Sequence, residues 1–207
     1  MDFKQHIIAL QADLERLTSQ LAGQMPSANA YVQRGMMQFK LGRIEDSIND
    51  FDRAEQLNPA LTPYLWQRGL SYYYAARFNE GARQFEVDLQ VNGQEVEETV
   101  WRYLCQAQRH GAEVARENLL PVRNDPRPVM ATVYDLLAGT SDTEALLAVA
   151  RDHSERFYSQ LYAGLYFEAE RETERARHHI SQAAEMQVID DYMGWLAIVH
   201  QRLRGWQ

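Results

Sequence analysis

The sequence predicts an all-α protein: a superhelix of antiparallel helix pairs, opened by an N-terminal helix and closed by a C-terminal capping helix. Three observations carry that expectation. Apolar residues recur at intervals of three and four, not two, which is the period of a helix face. Prolines are few, six in 207 residues, and they leave runs of 32, 57 and 79 residues unbroken. A proline inside a helix removes a donor and clashes with the preceding turn, so long runs without one favour helix. Finally, the chain matches itself at a shift of 34 residues, the length of a helix-pair repeat.

The elements follow in order. Residues 1–24 form an N-terminal helix whose apolar seam is Ile7, Leu10, Leu14, Leu17 and Leu21, with Phe3 one turn earlier. The spacing is heptad, but three heptads are short for an independent coiled coil. The seam either covers the open edge of its own stack or packs on a second copy to give a two-fold homodimer. A first helix pair spans 28–61 and a second 62–95. Between them Gln33-Arg34-Gly35 matches Gln67-Arg68-Gly69, Phe39 matches Tyr73, Ile44 matches Phe78 and Phe51 matches Phe85. Gly35 and Ser47 fall where two helices cross, since larger side chains there would push the backbones apart. Phe51 is expected to fill the space between one pair and the next, Gly42 to reverse the chain and Pro59 to stop the second helix. In the second pair Ala76 stands at the turn, and Gly81 and Asp88 occupy two small-residue positions.

A weaker third pair covers 98–120, with Trp101, Leu104 and Cys105 on its first helix and Gly111 near its turn. Pro121, Pro126 and Pro128 mark a break. Residues 128–152 hold two irregular helices. Pro128 suits a first turn, Gly139 closes the first helix, and Ser141 with Glu144 has capping-box spacing for the second. In a fourth pair, 154–186, Gly164, Ala176, Ile180 and Ala183 repeat the spacing of Gly35, Ser47, Phe51 and Ala54. A last helix, 190–205, turns Tyr192, Trp195, Leu196 and Val199 inward and caps the stack. On this reading residues 1–207 are a single domain and every proline lies between helices.

The first pair resembles the tetratricopeptide repeat closely. Counting Ala28 as its first position, Tyr31 takes the Trp position, Gly35 the close-packing glycine and Gly42 the turn. Ser47 and Ala54 take the small positions, Phe51 the aromatic one and Pro59 the terminal proline. The resemblance covers about residues 28–120 and 154–203. The stretch from Val133 to Ser141, then a short helix, then Phe157-Tyr158, is similar to the layout of the NlpI-type bacterial lipoproteins. The chain also looks similar to soluble tetratricopeptide proteins of cyanobacteria and plastids. The family resemblance implies a noncatalytic scaffold or adaptor for a protein or peptide partner. The NlpI likeness implies docking of peptidases or other enzymes, often as a dimer, although the sequence shows neither a lipid-attachment cysteine nor a signal sequence.

In tetratricopeptide stacks the first helix of each pair lines the concave face. The resemblance therefore assigns the groove to Val32, Met36, Phe39 and Lys40, then Trp66, Leu70, Tyr73 and Tyr74, then Arg102, Gln106, Arg109 and His110. Such a groove starts apolar and aromatic and ends basic. Val32 and Met36 stand where chaperone-binding repeats carry the Lys and Asn of their carboxylate clamp, so an acidic C-terminal peptide is not the expected ligand. An amphipathic helix or an extended segment with aromatic or aliphatic anchors fits better, its acidic end meeting Arg102 and Arg109. The Tyr72-Tyr73-Tyr74 run has a second reading, in which it only packs against the N-terminal helix or the next pair.

Composition removes several other functions. A net charge of -8 argues against nucleic acid, whose phosphates need clustered Lys and Arg. The basic run from Arg171 to His179 is interleaved with Glu172 and Glu174 and reads as a solvated helix face. Cys105 is the one cysteine, so no intrachain disulfide forms, and no base is placed to activate it. No run reaches the roughly 20 apolar residues of a membrane span. The expectation is a cytoplasmic protein, or one from which a targeting segment has been removed. None of the six histidines has a recognised metal spacing, and no phosphate loop or nucleophile elbow occurs. Neither cofactor nor metal nor catalytic residue is therefore assigned. His153 with Asp152 and Glu155 reads as a helix junction capped by Ser154. A homodimer built on the N-terminal seam and a hydrolase with an unrecognised site are the alternatives to the scaffold.

Overall fold

The computed structural model of the protein describes residues 3–23, 27–93, 95–122, 125–186, 188 and 190–206. Met1, Asp2 and Pro26 lie outside them. Among the described residues every regular element is helical. Helix α1 (Phe3–Gly23) leads into the hairpins α2 (Ala28–Lys40) with α3 (Ile44–Leu57) and α4 (Trp66–Tyr74) with α5 (Phe78–Asp88). A third hairpin joins α6 (Val96–His110) to the short α7 (Ala112–Glu117). Then come α8 (Pro128–Ala138) and α9 (Thr143–Ala148), the hairpin α10 (His153–Ala169) with α11 (Thr173–Glu185), and α12 (Tyr192–Leu203).

The punctuation is mostly where the sequence puts it. Gly42, Gly111 and Gly139 all have positive φ and end their helices, and Ala76 holds the same left-handed turn without a glycine at φ 56°. Two caps differ from expectation. Asp142, not Ser141, accepts the amide of Ala145 to start α9, and Asp152, not Ser154, accepts the amide of Glu155 to start α10. In each case a carboxylate one or two residues from the serine took its place, as a charged acceptor at a positive helix end does. The prolines differ too. Pro59 does end α3, but Pro59 and Pro63 both lie within a 3₁₀ helix, Pro59–Tyr64, and not in open loop.

The repeat has one physical signature. In each of three hairpins the inner helix carries a glycine on which a bulky side chain from the outer helix rests. A Cβ added at Gly35 would meet Phe51 at 3.2 Å, one at Gly69 would meet Phe85 at 2.6 Å, and one at Gly164 would meet Ile180 at 2.7 Å. Phe51 thus lies over Gly35 of its own pair. Gly81 has a comparable reason, because a Cβ there would lie 2.8 Å from Sγ of the buried Cys105. The repeated arginine is also explained. Arg34 donates to both carboxylate oxygens of Asp50, and Arg68 donates to Gln84 at the matching position and also to Asp52 and Glu55. The Asp50 and Gln84 bonds clamp each inner helix to its own outer partner, and the Asp52 and Glu55 bonds tie α4 to α3 of the preceding pair.

The inner helices α2, α4, α6 and α10 curl far enough that the last helix reaches the first pair. Helix α12 packs against both α11 and α2. Aromatic contacts trace the closure: Tyr192 stacks on Phe39 at 5.3 Å and meets Trp66 edge-on at 5.3 Å, while Trp195 lies 5.8 Å from Phe3. Helix α1 buries Leu14 and Leu17 against its own chain.

The glycine contacts give a ranked expectation. Gly69→Ala and Gly164→Ala each lower stability by about 1–3 kcal/mol, the usual cost of overpacking. At Gly35 the looser contact and alanine's better helix propensity leave a change within about 1 kcal/mol. Urea denaturation of the three variants measures the order, and equal losses at all three sites would refute it.

Candidate functional site

The concave face of the superhelix is largely occupied by the chain itself. Phe39, Leu70 and Tyr73, three of the groove positions, are buried. Tyr74 exchanges a 2.9 Å hydrogen bond with Nδ1 of His200 on α12, and Tyr73 donates to Glu168 of α10 at 3.3 Å. Glu168 also accepts a 2.6 Å bond from Arg204. His200 Nε2 lies 3.2 Å from the same carboxylate, off the hydrogen-bond direction. Burial holds His200 neutral by pushing its pKa down to about 4, against a partial upward pull from Glu168. Lys40 sits over the rings of Tyr192 and Trp195, and burial lowers its pKa while Asp191 opposes this. Val32 and Met36 are half-buried, Met36 against the core. The aromatic half of the sequence-assigned groove therefore serves as the seat of α12.

The basic end lies elsewhere. Arg102 is largely covered and is held by Glu86 of α5, to which it donates at 2.7 Å, and by the Asn118 carbonyl, to which it donates at 2.9 Å. Gln106 is half-buried, and Arg109 and His110 are exposed at the far end of α6. The N-terminal seam also faces inward: Leu14 and Leu17 are buried, Ile7, Leu10 and Leu21 are half-buried, and Ile8 on another face is the exposed one at 56%.

What α12 leaves open is a cavity of about 330 Å³ between the starts of α4, α6 and α12 and the second turn of α10. Its apolar walls are Trp66, Phe85, Trp101, Met193 and the ring of Tyr158. Its polar lining includes Glu95, Glu97 and Glu98 around the start of α6, Asp191 at the start of α12, and Arg127 from the segment before α8. Of the sequence-assigned groove residues only Trp66 lines it. Glu95 is exposed at the rim, and Glu97, Asp191 and Arg127 have identifiable holders. Arg127 donates to both oxygens of Glu97, at 3.0 and 2.8 Å, and to both of Asp125, at 2.9 and 2.7 Å. Asp191 caps α12 through the Met193 amide and accepts a 2.5 Å bond from the Tyr158 hydroxyl. That carboxylate, after burial, pushes the Tyr158 pKa up.

Glu98 is the exception. Its residue is only 5% exposed, and its Oε2 has no hydrogen-bond partner. Burial, with smaller contributions from Glu95, Glu97 and Asp88, pushes its pKa up to about 8, against a downward pull from its own backbone amide. Asp88, buried behind it at the end of α5, is likewise pushed up to about 7. Sequence reading passed over Glu97 and Glu98 because acidic residues in a first turn are what the helix dipole favours. The structure shows more: Glu98 begins a buried run that continues through Thr99, Val100 and Trp101. Among the described residues no three His, Cys, Asp or Glu side chains converge as a metal site requires. Cys105 is buried, and burial pushes its thiol pKa up.

The helix-pair architecture is that of a tetratricopeptide-repeat fold. It matches the crystal structure of a tetratricopeptide repeat protein from Parabacteroides merdae with a TM-score of 0.57 at 19% identity, over 95% of this chain and 80% of that one. In sequence the chain is similar to a protein SGT1 homolog of Bos taurus, 27% identical over 103 residues, which is 50% of this chain and 30% of that protein. The chain thus spans under a third of the length of that relative. No family model matches the chain. No helix among the described residues is long and apolar enough to cross a membrane.

Glu98 sets a pH dependence. The folded protein keeps this proton until about pH 8, whereas the unfolded chain releases it near 4.5. The favourable contribution is complete below the unfolded value and is lost as pH rises through the folded one. Glu98→Gln keeps the neutral form at every pH. It therefore stabilises the protein by about 2–4 kcal/mol more at about pH 8.5 than at about pH 5. Denaturant midpoints at the two pH values measure this, and an equal effect at both would show that Glu98 is ionised in the fold.

Proposed function

We propose that this protein is a noncatalytic adaptor that takes a segment of a partner polypeptide at the mouth of its closed groove. The observation that carries this reading is the cavity bounded by α4, α6, α10 and α12, the part of the concave face that α12 leaves open. At about 330 Å³ it has the volume of a site for one anchoring side chain, with the rest of the segment lying across the rim. The rim itself is accessible, since Glu95 and Arg127 are exposed. A tetratricopeptide-repeat fold presents its concave side to protein partners in general, and here that side is narrowed to one opening. The groove proposed is thus shorter than Val32 to Arg109, and of those residues it retains Trp66.

Two observations support a noncatalytic role. Cys105 is sealed in the core with its thiol pushed up, and His200 is held neutral in a network that ties helices together. Neither lines the cavity. We also read α1 as the cover of the first pair's edge and not as a dimer seam. Leu14 and Leu17 already spend their apolar surface within one chain.

A photo-crosslinking residue in place of Glu95, at the rim, is expected to capture a defined polypeptide in cells of origin. The same residue in place of Glu144, on the exposed surface of α9, is not. Equal capture at the two positions, or none at Glu95, would remove the rim as the docking site.

A further inference from the structure

We infer that the cavity recognises a basic side chain, the arginine or lysine of a partner polypeptide, with Glu98 as its buried carboxylate acceptor and Trp66 and Trp101 as its aromatic walls. This rests on the docking reading given above and names what the docked segment must carry.

The charge around the cavity points to a cation. Glu95, Glu97 and Asp191, beside the neutral Glu98, line it against one guanidinium, that of Arg127. Arg127 is shared between Glu97 and Asp125, so its charge is already outweighed. The charge of Asp191 is balanced only in part, by Lys40 on the far side. An anion is the ligand that the starts of α4, α6 and α12 would otherwise attract. Here carboxylates hold those places, with Glu97 and Glu98 in the first turn of α6 and Asp191 as the cap of α12.

Glu98 is what raises this above an acidic cluster. A first-turn glutamate that serves only the helix dipole can stay in water, where its charge is solvated at no cost. Glu98 instead lines the cavity at 5% exposure with an oxygen that bonds to nothing. A buried acceptor without a donor loses free energy, and a ligand donor that fills the vacancy recovers it. Arginine and lysine are both suited, because each brings donors at the end of an apolar stem. The stem would lie along the indole rings of Trp66 and Trp101, and aromatic faces attract cations.

The same arrangement couples binding to protons. With the site empty, burial keeps Glu98 protonated at neutral pH. The groups that face it are Glu95 and Glu97 on its own helix, Asp88 from α5, Arg127 and Asp125 from the segment before α8, Tyr158 and Tyr162 from α10, and Asp191 from α12. Most of these are acidic or neutral, so an arriving cation is what allows Glu98 to ionise. Binding then releases one proton, and affinity rises with pH until Glu98 is ionised in the free protein.

The test uses the full chain and four probes. Three are blocked pentapeptides with a central arginine, lysine or citrulline between Gly and Ser residues, and the fourth is spermidine. Tryptophan fluorescence and calorimetry report binding. The arginine and lysine peptides are expected to bind and the uncharged citrulline peptide to bind at least about tenfold more weakly. Glu98→Gln, which is nearly isosteric and keeps the side chain neutral, is expected to lose about tenfold or more in affinity for the arginine peptide. It also abolishes the rise in that affinity between about pH 6.5 and 8.5. Glu95→Gln at the exposed rim, which leaves the core untouched, weakens binding by a smaller factor. Equal binding of the citrulline and arginine peptides overturns the inference, and so does a Glu98→Gln variant with unchanged affinity and slope. Binding of spermidine without binding of either basic peptide assigns the cavity to a free polyamine and overturns it as well. If no peptide binds while the crosslink at position 95 persists, the basic anchor is refuted and rim docking stands. Loss of the crosslink refutes rim docking itself, whatever the peptides do.

Discussion

The seating of Tyr192 between Phe39 and Trp66 is the contact on which the rest of the molecule depends. It brings the start of the last helix onto the inner helices of the first two pairs, with ring centroids 5.3 Å apart on either side. From there α12 runs down the concave face and places His200 against Tyr74 and Arg204 against Glu168. The cavity exists because this seat lies where it does. Met193 and Asp191, the first residues after the seat and before it, form one wall, and α6 forms the wall opposite.

Polar groups in this interior are arranged in two unlike ways. The Glu168 cluster is nearly saturated: one carboxylate serves Tyr73 and Arg204 with His200 close by, and removal of any member strands a charge or a donor. The acidic cluster at the other end of the inner helices is not saturated. Its carboxylates have dipoles and neutral donors more than cations, and Glu98 has an oxygen with nothing at all. The first arrangement suits a structural joint. The second leaves a buried carboxyl oxygen unpaired.

How much of this was readable in the sequence depends on the range of the interaction. The Gly35–Phe51, Gly69–Phe85 and Gly164–Ile180 contacts each span one turn between neighbouring helices, so their spacing is constant and the repeat exposes them. The occupancy of the groove joins Phe39 to Tyr192 and Tyr74 to His200, across most of the chain, and no period records it. Aromatic residues that hold a helix of the same chain look, in sequence, like those that wait for a partner. Arg102 shows a second limit. It is held by Glu86 of α5 and the Asn118 carbonyl, contacts with no counterpart in the repeat pattern. Glu97 and Glu98 show a third, since an acid at a helix start has an adequate local explanation. Asp142 and Asp152 displaced neighbouring serines as caps because local sequence offers both and only the backbone chooses.

The reach of α12 back to α2 also changes the kind of folding transition open to this chain. In an open solenoid each repeat touches only its neighbours, stability is a sum over nearest-neighbour terms, and the ends fray first. Here the last helix completes the core of the first hairpin, so it cannot melt alone without exposing Phe39 and Trp66. Contacts of such long sequence separation are slow to form. The molecule therefore gives up the quick, piecewise folding of a linear array for the all-or-none behaviour of a globule.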